Sequence, residues 1–151
     1  AGLMIKDNEI KVLEFNCRFG DPETQPILLR LNSSLVELCK AAIDDKLDTY
    51  SIQWTEKHSC GVVIASEGYP EDYESNKKVS IKENNIKDSK LFHAGTKYEN
   101  ETVLTSGGRV FCATALGSDL KDAQKNAYNL VNNVEFDGAF FRKDIGFKGI
   151  K

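Results

Sequence analysis

The chain has 151 residues, of which 40% are hydrophobic, so it is long enough for one globular domain or for one domain and part of another. Its formal net charge of -3 provides no positive field over the whole molecule, so we expect neither a nucleic acid nor a membrane surface as a partner. No apolar run approaches the ~20 residues that span a bilayer, and nothing at the start resembles a signal peptide.

The four cysteines are scattered through apolar runs without the CxxC spacing of a zinc site: Cys17, Cys39, Cys60 and Cys112. We interpret them as buried free thiols in a reducing compartment, which predicts a cytoplasmic location. The chain starts at Ala1 without an initiator Met and enters strand-like sequence almost at once. We therefore expect it to be an excerpt of a longer polypeptide.

The first 54 residues predict a hairpin followed by two helices. Residues 3–5 and 10–15 are apolar runs around the polar turn KDNE, which is typical of a β-hairpin. In GDPETQPILLRL, Asp21 is placed to cap a helix that has Pro22 at its first position. In SSLVELCKAAIDDKL, Ser34 and Glu37 have the spacing of a capping box ahead of an apolar stripe, which predicts a second helix.

Short strand-like runs dominate from Ser59 onward: CGVVIAS, KVSI, KLFHAG, TVLTS and RVFCATAL. Gly117 closes the last run, and Ser118 or Asp119 opens a helix that extends to about Asn133. Residues 75–90 are rich in Lys and Asn and predict a solvated loop or edge. The fold class that we predict is α+β, with residues 55–151 forming a small, mostly β domain with one long helix.

The segment EFNCRFGDPETQ carries polar side chains at alternate positions of the predicted second strand. If that strand extends to Arg18, then Glu14, Asn16 and Arg18 share one of its faces. A carboxylate and an amide oxygen suit Mg²⁺, and a planar guanidinium suits a substrate carboxylate or a transferred phosphoryl group. The alternative is an ordinary solvent-facing strand in which Arg18 pairs with a nearby carboxylate.

Two basic segments further along could bind an anion. In SGGRV, Gly107 and Gly108 precede Arg109, so backbone N–H groups and a guanidinium could surround a phosphate. In FRKDIG, Arg142 and Lys143 form a second candidate for the same phosphate. The alternatives are a tight turn with a surface arginine and a local pair between Asp144 and one of these cations.

The segment VLEFNCRFGDPETQPIL resembles, nearly residue for residue, the end of the ATP-grasp lobe in the phosphoribosylamine–glycine ligase family, also called glycinamide ribonucleotide synthetases. GYPEDY, FHAGT, GGRV with TALG, and FDGAFFRKDIG resemble the carboxy-terminal domain of that family, in the same order. The resemblance covers essentially the whole chain. It implies that residues 1–54 end an ATP-grasp domain and that residues 55–151 are the carboxy-terminal domain.

Enzymes of that family join glycine to 5-phosphoribosylamine through a glycyl phosphate, with ATP as co-substrate, in purine biosynthesis. The resemblance implies that Glu14 and Asn16 hold Mg²⁺ or Mn²⁺ and that Arg18 is a catalytic residue that steadies the carboxylate of glycine and then the acyl phosphate. Asp21 could accept from an ammonium group or a metal-bound water, but we rank its capping role first. The chain contains neither GxGxxG nor GxxxxGK[ST], so we expect the ATP-binding elements upstream and no catalysis by this chain alone.

The sequence also allows two alternatives to this ligase assignment. One is a non-catalytic binding or regulatory module with the same fold, and the other is a different ATP-grasp carboxylate–amine ligase or a biotin-carboxylase-like enzyme. Intact Glu14 and Asn16 weigh against the module, because a protein without catalysis does not need a metal-binding face. The segments GDPETQ and RKDIG favour the phosphoribosylamine–glycine ligase family over other ATP-grasp enzymes.

Overall fold

The computed structural model describes residues 2–150. Its strands are β1 (Gly2–Lys6), β2 (Glu9–Glu14), β3 (His58–Ser66), β4 (Ser80–Ile81), β5 (Ser89–His93), β6 (Thr96–Glu99), β7 (Thr102–Thr105), β8 (Arg109–Gly117), β9 (Val134–Glu135) and β10 (Ala139–Phe140). Its α-helices are α1 (Thr24–Leu29), α2 (Leu35–Ile43) and α3 (Leu120–Val131), and short 3-10 turns lie at Leu47–Thr49 and Phe147–Gly149. Within residues 2–150, no helix is both long and apolar enough to cross a bilayer.

The centre of the fold is a four-stranded sheet in the order β10-β3-β8-β5, with antiparallel neighbours throughout. Helix α3 packs on β3 and β8 and covers one face of this sheet. The core between them consists mainly of aliphatic residues and small residues that let the helix lie close: Val62, Ile64, Phe111, Ala113, Ala115, Ala123, Ala127 and Leu130. The mixed helix and strand content with antiparallel sheets confirms the predicted α+β character.

Local sequence chemistry accounts for the position of α3. Asp119 caps the helix by accepting from the backbone N–H of Asp122 at 2.7 Å, and the carboxylate of Asp122 accepts from the backbone N–H of Ser118 at 3.1 Å. Gly117 lies beneath this first turn, where an added Cβ would stand 2.1 Å from the backbone nitrogen of Ala123. Only glycine therefore lets α3 approach the end of β8 so closely.

The amino-terminal elements follow the prediction in part. Strands β1 and β2 form the expected hairpin, and Ser34 caps α2 by accepting from the N–H of Glu37 at 3.3 Å. Helix α1, however, starts at Thr24 and not at Pro22, and it follows Glu23, whose side chain makes no capping hydrogen bond within residues 2–150. The predicted capping role of Asp21 is therefore wrong.

Between β3 and β8 the prediction missed several pairings. Strand β6 lies between the predicted runs KLFHAG and TVLTS, where no strand was predicted, and it forms a hairpin with β7. Strand β4 lies in KVSI, which was predicted as strand-like, but the sequence indicated neither its pairing with β9 nor the burial of Val79. Long-range pairing provides the burial here, and such pairing is not visible in local composition.

The four cysteines divide into two classes. Cys60 and Cys112 are buried in the central sheet, as predicted, but Cys17 and Cys39 are exposed, so that part of the prediction is wrong. Burial raises the pKa of the Cys60 thiol, and burial likewise raises the pKa of Cys112 although its hydrogen bond with Thr114 acts in the opposite direction. Both buried thiols therefore stay protonated and unreactive near neutral pH.

The β1–β2 hairpin exposes an unusual amount of apolar surface. The exposed apolar side chains of these strands and of the segment that follows are Leu3, Met4, Ile5, Ile10, Val12, Leu13, Phe15 and Phe19. The side chain of Phe15 is 81% exposed. Outside the hairpin, Ile43 at the end of α2 is 84% exposed. Contiguous apolar surface of this kind marks a site of protein contact in soluble proteins.

Alkylation tests the division of the cysteines. We expect iodoacetamide to modify Cys17 and Cys39 in the folded protein, and to modify Cys60 and Cys112 only after denaturation in guanidinium chloride, because burial keeps these two thiols protonated and out of reach. Peptide mass spectrometry after timed labelling measures each site. Equal labelling rates at Cys39 and Cys112 in the folded protein would contradict this assignment.

Substitution of Gly117 tests the packing of α3. The methyl group of Gly117→Ala would overlap the backbone of Ala123, so we expect the free energy of unfolding to fall by roughly 3 kcal/mol, the upper range for overpacking. Urea denaturation followed by circular dichroism measures this loss. The matched control is Ser118→Ala at the exposed neighbouring position, which should change stability by less than about 0.5 kcal/mol.

Candidate functional site

The Glu14 and Asn16 side chains lie side by side at the end of the hairpin. Strand β2 ends at Glu14, so the strand face that we predicted does not continue to Asn16 and Arg18. The two side chains nevertheless meet, because the Nδ2 of Asn16 donates to the Oε1 of Glu14 at 3.0 Å. This contact leaves the second carboxylate oxygen and the amide oxygen facing solvent as a pair of hard donors.

These two oxygens are of the type that binds a divalent cation, but two ligands are too few to hold the ion by themselves. Mg²⁺ prefers carboxylate and carbonyl oxygens in octahedral geometry and commonly takes its remaining ligands from water and phosphates. Within residues 2–150, no group of three or more His, Cys, Asp or Glu side chains is arranged to hold a metal. An ion at Glu14 and Asn16 would therefore need further ligands from a nucleotide or from another part of a protein.

Arg18 and Asp21 do not pair with each other, although they are three residues apart. The Nη1 of Arg18 donates to the carbonyl oxygen of Phe19 at 3.0 Å, and its guanidinium is otherwise exposed. Asp21 instead accepts from the Nη2 of Arg109 at 2.7 Å, across 88 positions of the chain. The predicted substrate-binding residues Asp21 and Arg109 are thus brought together, whereas Arg18 is exposed and lies outside this pair.

A β-bulge directs Arg109 to its position. Between β3 and β8, Ile64 lies opposite Phe111 but Ala65 lies opposite Arg109, so Val110 is an extra residue. Strict alternation from the core residue Phe111 would direct Arg109 into the core. The extra residue places Arg109 on the other face of the sheet, which is a common use of bulges beside functional sites.

That other face forms one wall of a cavity of about 400 Å³. The wall consists of Gly61, Val63 and Ala65 of β3, with Arg109 beside them. The remaining lining is mainly aromatic residues and proline: Pro22, Tyr69, Pro70, Phe140, Phe141, Arg142 and Ile145. The two guanidinium groups are the charged groups of an otherwise apolar cleft, and they make it suited to an anion that carries a less polar body.

A second cavity, of about 290 Å³, is less suited to a ligand of this kind. Its lining includes Glu74, Lys77 and Asp137. The ammonium group of Lys77 already bridges the two carboxylates, at 2.6 Å from Glu74 and 3.1 Å from Asp137. The lining also includes Glu67 and Asp72, so carboxylates outnumber cations in this cavity and it does not suit an anion. We therefore take the Arg109 cleft as the candidate site.

The two glycines before Arg109 have a packing role. An added Cβ on Gly108 would lie 2.1 Å from the Cδ2 of Tyr69, and one on Gly95 would lie 2.7 Å from the Cα of Gly107. The predicted role of Gly107 and Gly108 in anion binding stays a prediction. Their N–H groups have no backbone acceptor within residues 2–150, so they keep the capacity to donate to a ligand.

Arg142 and Lys143 differ in their surroundings. Arg142 lines the cavity and forms two hydrogen bonds to Asp144, from Nε at 3.0 Å and from Nη2 at 2.7 Å. These bonds lower the pKa of Asp144 and raise the pKa of Arg142, so both groups are charged at neutral pH. Lys143 is exposed and makes no ion pair within residues 2–150. The sequence allowed a local pair between Asp144 and one of these cations as an alternative, and the structure contains that pair between Arg142 and Asp144.

The structure also identifies site residues that sequence reasoning missed. Tyr69, Phe140 and Phe141 provide the aromatic lining of the cleft, and none was a candidate. The segment GYPEDY by itself carries no sign of what its aromatic rings will contact. The run RVFCATAL predicts a regular strand through Val110, because a bulge has no reliable local sequence pattern.

Comparison with known proteins places these features in a family. Residues 59–148 match the family described as phosphoribosylglycinamide synthetase, C domain. The whole chain is 54% identical to the phosphoribosylamine–glycine ligase of Salmonella typhimurium (strain LT2) and 53% identical to that of Escherichia coli O157:H7, and it covers 36% of each relative. The chain thus spans about a third of the length of the curated relatives that it matches.

Solved structures show the same relationship. The crystal structure of phosphoribosylamine–glycine ligase from Thermotoga maritima matches with a TM-score of 0.75 and 30% identity, over 95% of this chain and 35% of that one. The urea carboxylase of Kluyveromyces lactis matches with a TM-score of 0.64 over 92% of this chain and 12% of that one, but at 16% identity the likeness shows a shared fold alone. The match to the C-domain family over most of the chain, together with full-length similarity to these ligases, shows that the chain belongs to the phosphoribosylglycinamide synthetase C-domain family and corresponds to the carboxy-terminal portion of phosphoribosylamine–glycine ligases.

Proposed function

We propose that this chain serves as the carboxy-terminal portion of an ATP-dependent ligase that joins glycine to 5-phosphoribosylamine. The products are glycinamide ribonucleotide, ADP and phosphate, in purine biosynthesis. The observation that carries the proposal is the similarity of the whole chain to proteins named phosphoribosylamine–glycine ligase, at 54% identity for one of them. The alternatives of a regulatory module or of another ATP-grasp ligase have no comparable support.

The reaction has two steps, and the chain offers residues for each. In the first step, a carboxylate oxygen of glycine attacks the γ-phosphorus of ATP, and ADP leaves. In the second step, the amine of 5-phosphoribosylamine attacks the carbonyl carbon of glycyl phosphate, phosphate leaves and the nitrogen loses a proton. Both steps concentrate negative charge on oxygen atoms, so the protein must supply positively charged groups that are already in position.

Glu14 and Asn16 are the residues that would hold Mg²⁺ or Mn²⁺ for this reaction. Their adjacent oxygen donors support the proposal, since the carboxylate and the amide are held together by a hydrogen bond of 3.0 Å. When bound, such a cation neutralises the charge of the β- and γ-phosphates of ATP. The hydrogen bond from Asn16 orients the carboxylate of Glu14 and leaves the amide oxygen free to act as a ligand.

Arg18 is the residue that we propose to hold the carboxylate of glycine and then the acyl phosphate. It follows Glu14 and Asn16 closely in the chain, and its exposed side chain donates from Nη1 to the neighbouring carbonyl oxygen of Phe19. A guanidinium can bind a carboxylate or a phosphoryl group through two parallel hydrogen bonds. Arg18 would orient the reacting oxygen in the first step and stabilise the leaving phosphate in the second.

The cleft beside Arg109 is the site that we propose for the phosphate of 5-phosphoribosylamine. Arg109 and Arg142 line the cleft, and Lys143 follows Arg142 in the sequence. The apolar lining suits the carbon skeleton of a sugar. Arg109 is paired with Asp21 in this structure, but both side chains are partly exposed, so a phosphate dianion could share or replace the carboxylate. Asp21 would then connect the two parts of the site, because phosphate binding at Arg109 would release a side chain of the segment that carries Glu14, Asn16 and Arg18.

We propose that catalysis also requires polypeptide equivalent to the remaining two thirds of the relatives. The exposed apolar face of the β1–β2 hairpin supports this proposal, because an isolated domain rarely exposes so many large apolar side chains. The two oxygen donors at Glu14 and Asn16 are likewise too few for a complete metal site. ATP-binding elements would come from that polypeptide, and a cytoplasmic location stays part of the proposal.

ADP formation tests the metal role and the substrates together. In a ligase that carries this chain as its carboxy-terminal portion, Glu14→Gln should lower the rate at limiting Mg²⁺ by at least ~10-fold, because it removes the only anionic member of the ligand pair. ADP should form only when glycine and 5-phosphoribosylamine are both present. The matched control is Glu9→Gln on the same hairpin, which should keep the wild-type rate. A fully active Glu14→Gln enzyme would show that Glu14 is not a ligand.

Steady-state kinetics tests the phosphate site. Arg109→Gln should raise the KM for 5-phosphoribosylamine by about 10-fold to 100-fold, since it removes a charge-assisted hydrogen bond. The KM values for ATP and glycine should stay unchanged, and Lys121→Gln, which removes an exposed cation of α3, should affect none of the three. An equal rise in all three KM values for Arg109→Gln would indicate general damage and not loss of a phosphate ligand.

A further inference from the structure

The ring of Tyr69 lies against the guanidinium of Arg109. The Cζ atom of Arg109 is 6.0 Å from the centre of the ring, at the range of a cation–π contact. The same ring lines the cleft, so one of its surfaces is available to a ligand. Within residues 2–150, the Tyr69 hydroxyl makes no hydrogen bond, so the contacts of this residue are made by its ring.

Tyr69 is itself held in place by the backbone. Its N–H donates to the carbonyl oxygen of Ser66 at 3.1 Å, and its ring packs directly on Gly108, where an added Cβ would overlap the Cδ2 atom. The adjacent ring of Tyr73 lies 6.2 Å away, centre to centre. The orientation of the Tyr69 ring is therefore set by neighbours that do not depend on Arg109.

Arg109 is thus restrained on two sides. Asp21 accepts from its Nη2 at 2.7 Å, and its Cζ atom lies over the Tyr69 ring, 6.0 Å from the ring centre. A free arginine side chain samples many rotamers, and each contact that restricts them lowers the entropic cost of binding an anion. If a phosphate displaces Asp21, the ring is the restraint that remains.

We propose that Tyr69 is a positioning residue that holds the Arg109 guanidinium toward the cleft for the phosphate of a phosphoribosyl substrate. This inference rests on the proposed phosphate site at Arg109 and adds a residue that acts through it. The ring, and not the hydroxyl, performs this role. Gly108 contributes because it has no side chain and so leaves room for the ring. Glycine at this position therefore has a packing role in addition to any role in the turn before Arg109.

Binding of ribose 5-phosphate to this chain tests the inference, with isothermal titration calorimetry as the measurement. We expect Tyr69→Leu to raise the Kd by about 3-fold to 10-fold, the range of a cation–π contact, and Tyr69→Phe to stay within about 2-fold of wild type because it keeps the ring. The matched control is Tyr98→Leu, which removes a 73% exposed tyrosine outside the cleft. Thermal melting of each variant checks that it is folded.

A double-mutant cycle separates positioning from general packing. If Tyr69 acts through Arg109, then Tyr69→Leu should have little further effect on the Kd in an Arg109→Gln background. An equal loss in both backgrounds would overturn the inference, because the ring would then contact the ligand or support the fold directly. Unchanged binding by Tyr69→Leu, or equal losses in Tyr69→Phe and Tyr69→Leu, would overturn it as well.

The same experiment distinguishes this inference from the proposed function. If wild type binds ribose 5-phosphate and Arg109→Gln does not, but Tyr69→Leu binds normally, the phosphate site stands and the role of Tyr69 is wrong. If wild type does not bind, the phosphate site fails and the role of Tyr69 fails with it. In the whole ligase, Tyr69→Leu should raise the KM for 5-phosphoribosylamine without changing the KM for ATP. That result would support positioning by Tyr69.

Discussion

The pairing of β3 with β8 is the interaction on which the rest of the structure depends. These two nine-residue strands form the centre of the main sheet, and their two faces have different roles. One face carries the hydrophobic core beneath α3, and the other lines the cleft. The bulge at Val110 joins these roles, because it keeps Phe111 in the core while it directs Arg109 to the cleft.

The contact between Asp21 and Arg109 links the two parts of the candidate site. Asp21 belongs to the segment that also carries Glu14, Asn16 and Arg18, whereas Arg109 belongs to the central sheet. Helix α1 packs on β3 and β8, so this segment is anchored to the sheet just beyond Asp21. An exposed ion pair contributes little to stability, so its main effect is to orient the two side chains relative to each other.

The acidic net charge of the chain makes the cleft a local feature and not part of a broad basic surface. Arg109 and Arg142 face an apolar cavity, and each is already paired with a carboxylate. A ligand therefore competes with Asp21 and Asp144, which favours a compact dianion such as a phosphate over a weakly charged group.

Sequence alone determined the elements whose signals are local: the β1–β2 hairpin, the capped helices α2 and α3, and the long strands β3 and β8. It also brought Glu14 and Asn16 together as candidates, because two positions of separation keep side chains close even where the strand has ended. Tertiary structure alone decided that Asp21 pairs with Arg109 and does not cap α1, that a bulge reorients Arg109, and that Tyr69 lies against it. The physical reason is range: caps and strand alternation act within a few residues, whereas these contacts join segments that only the folded sheet brings together.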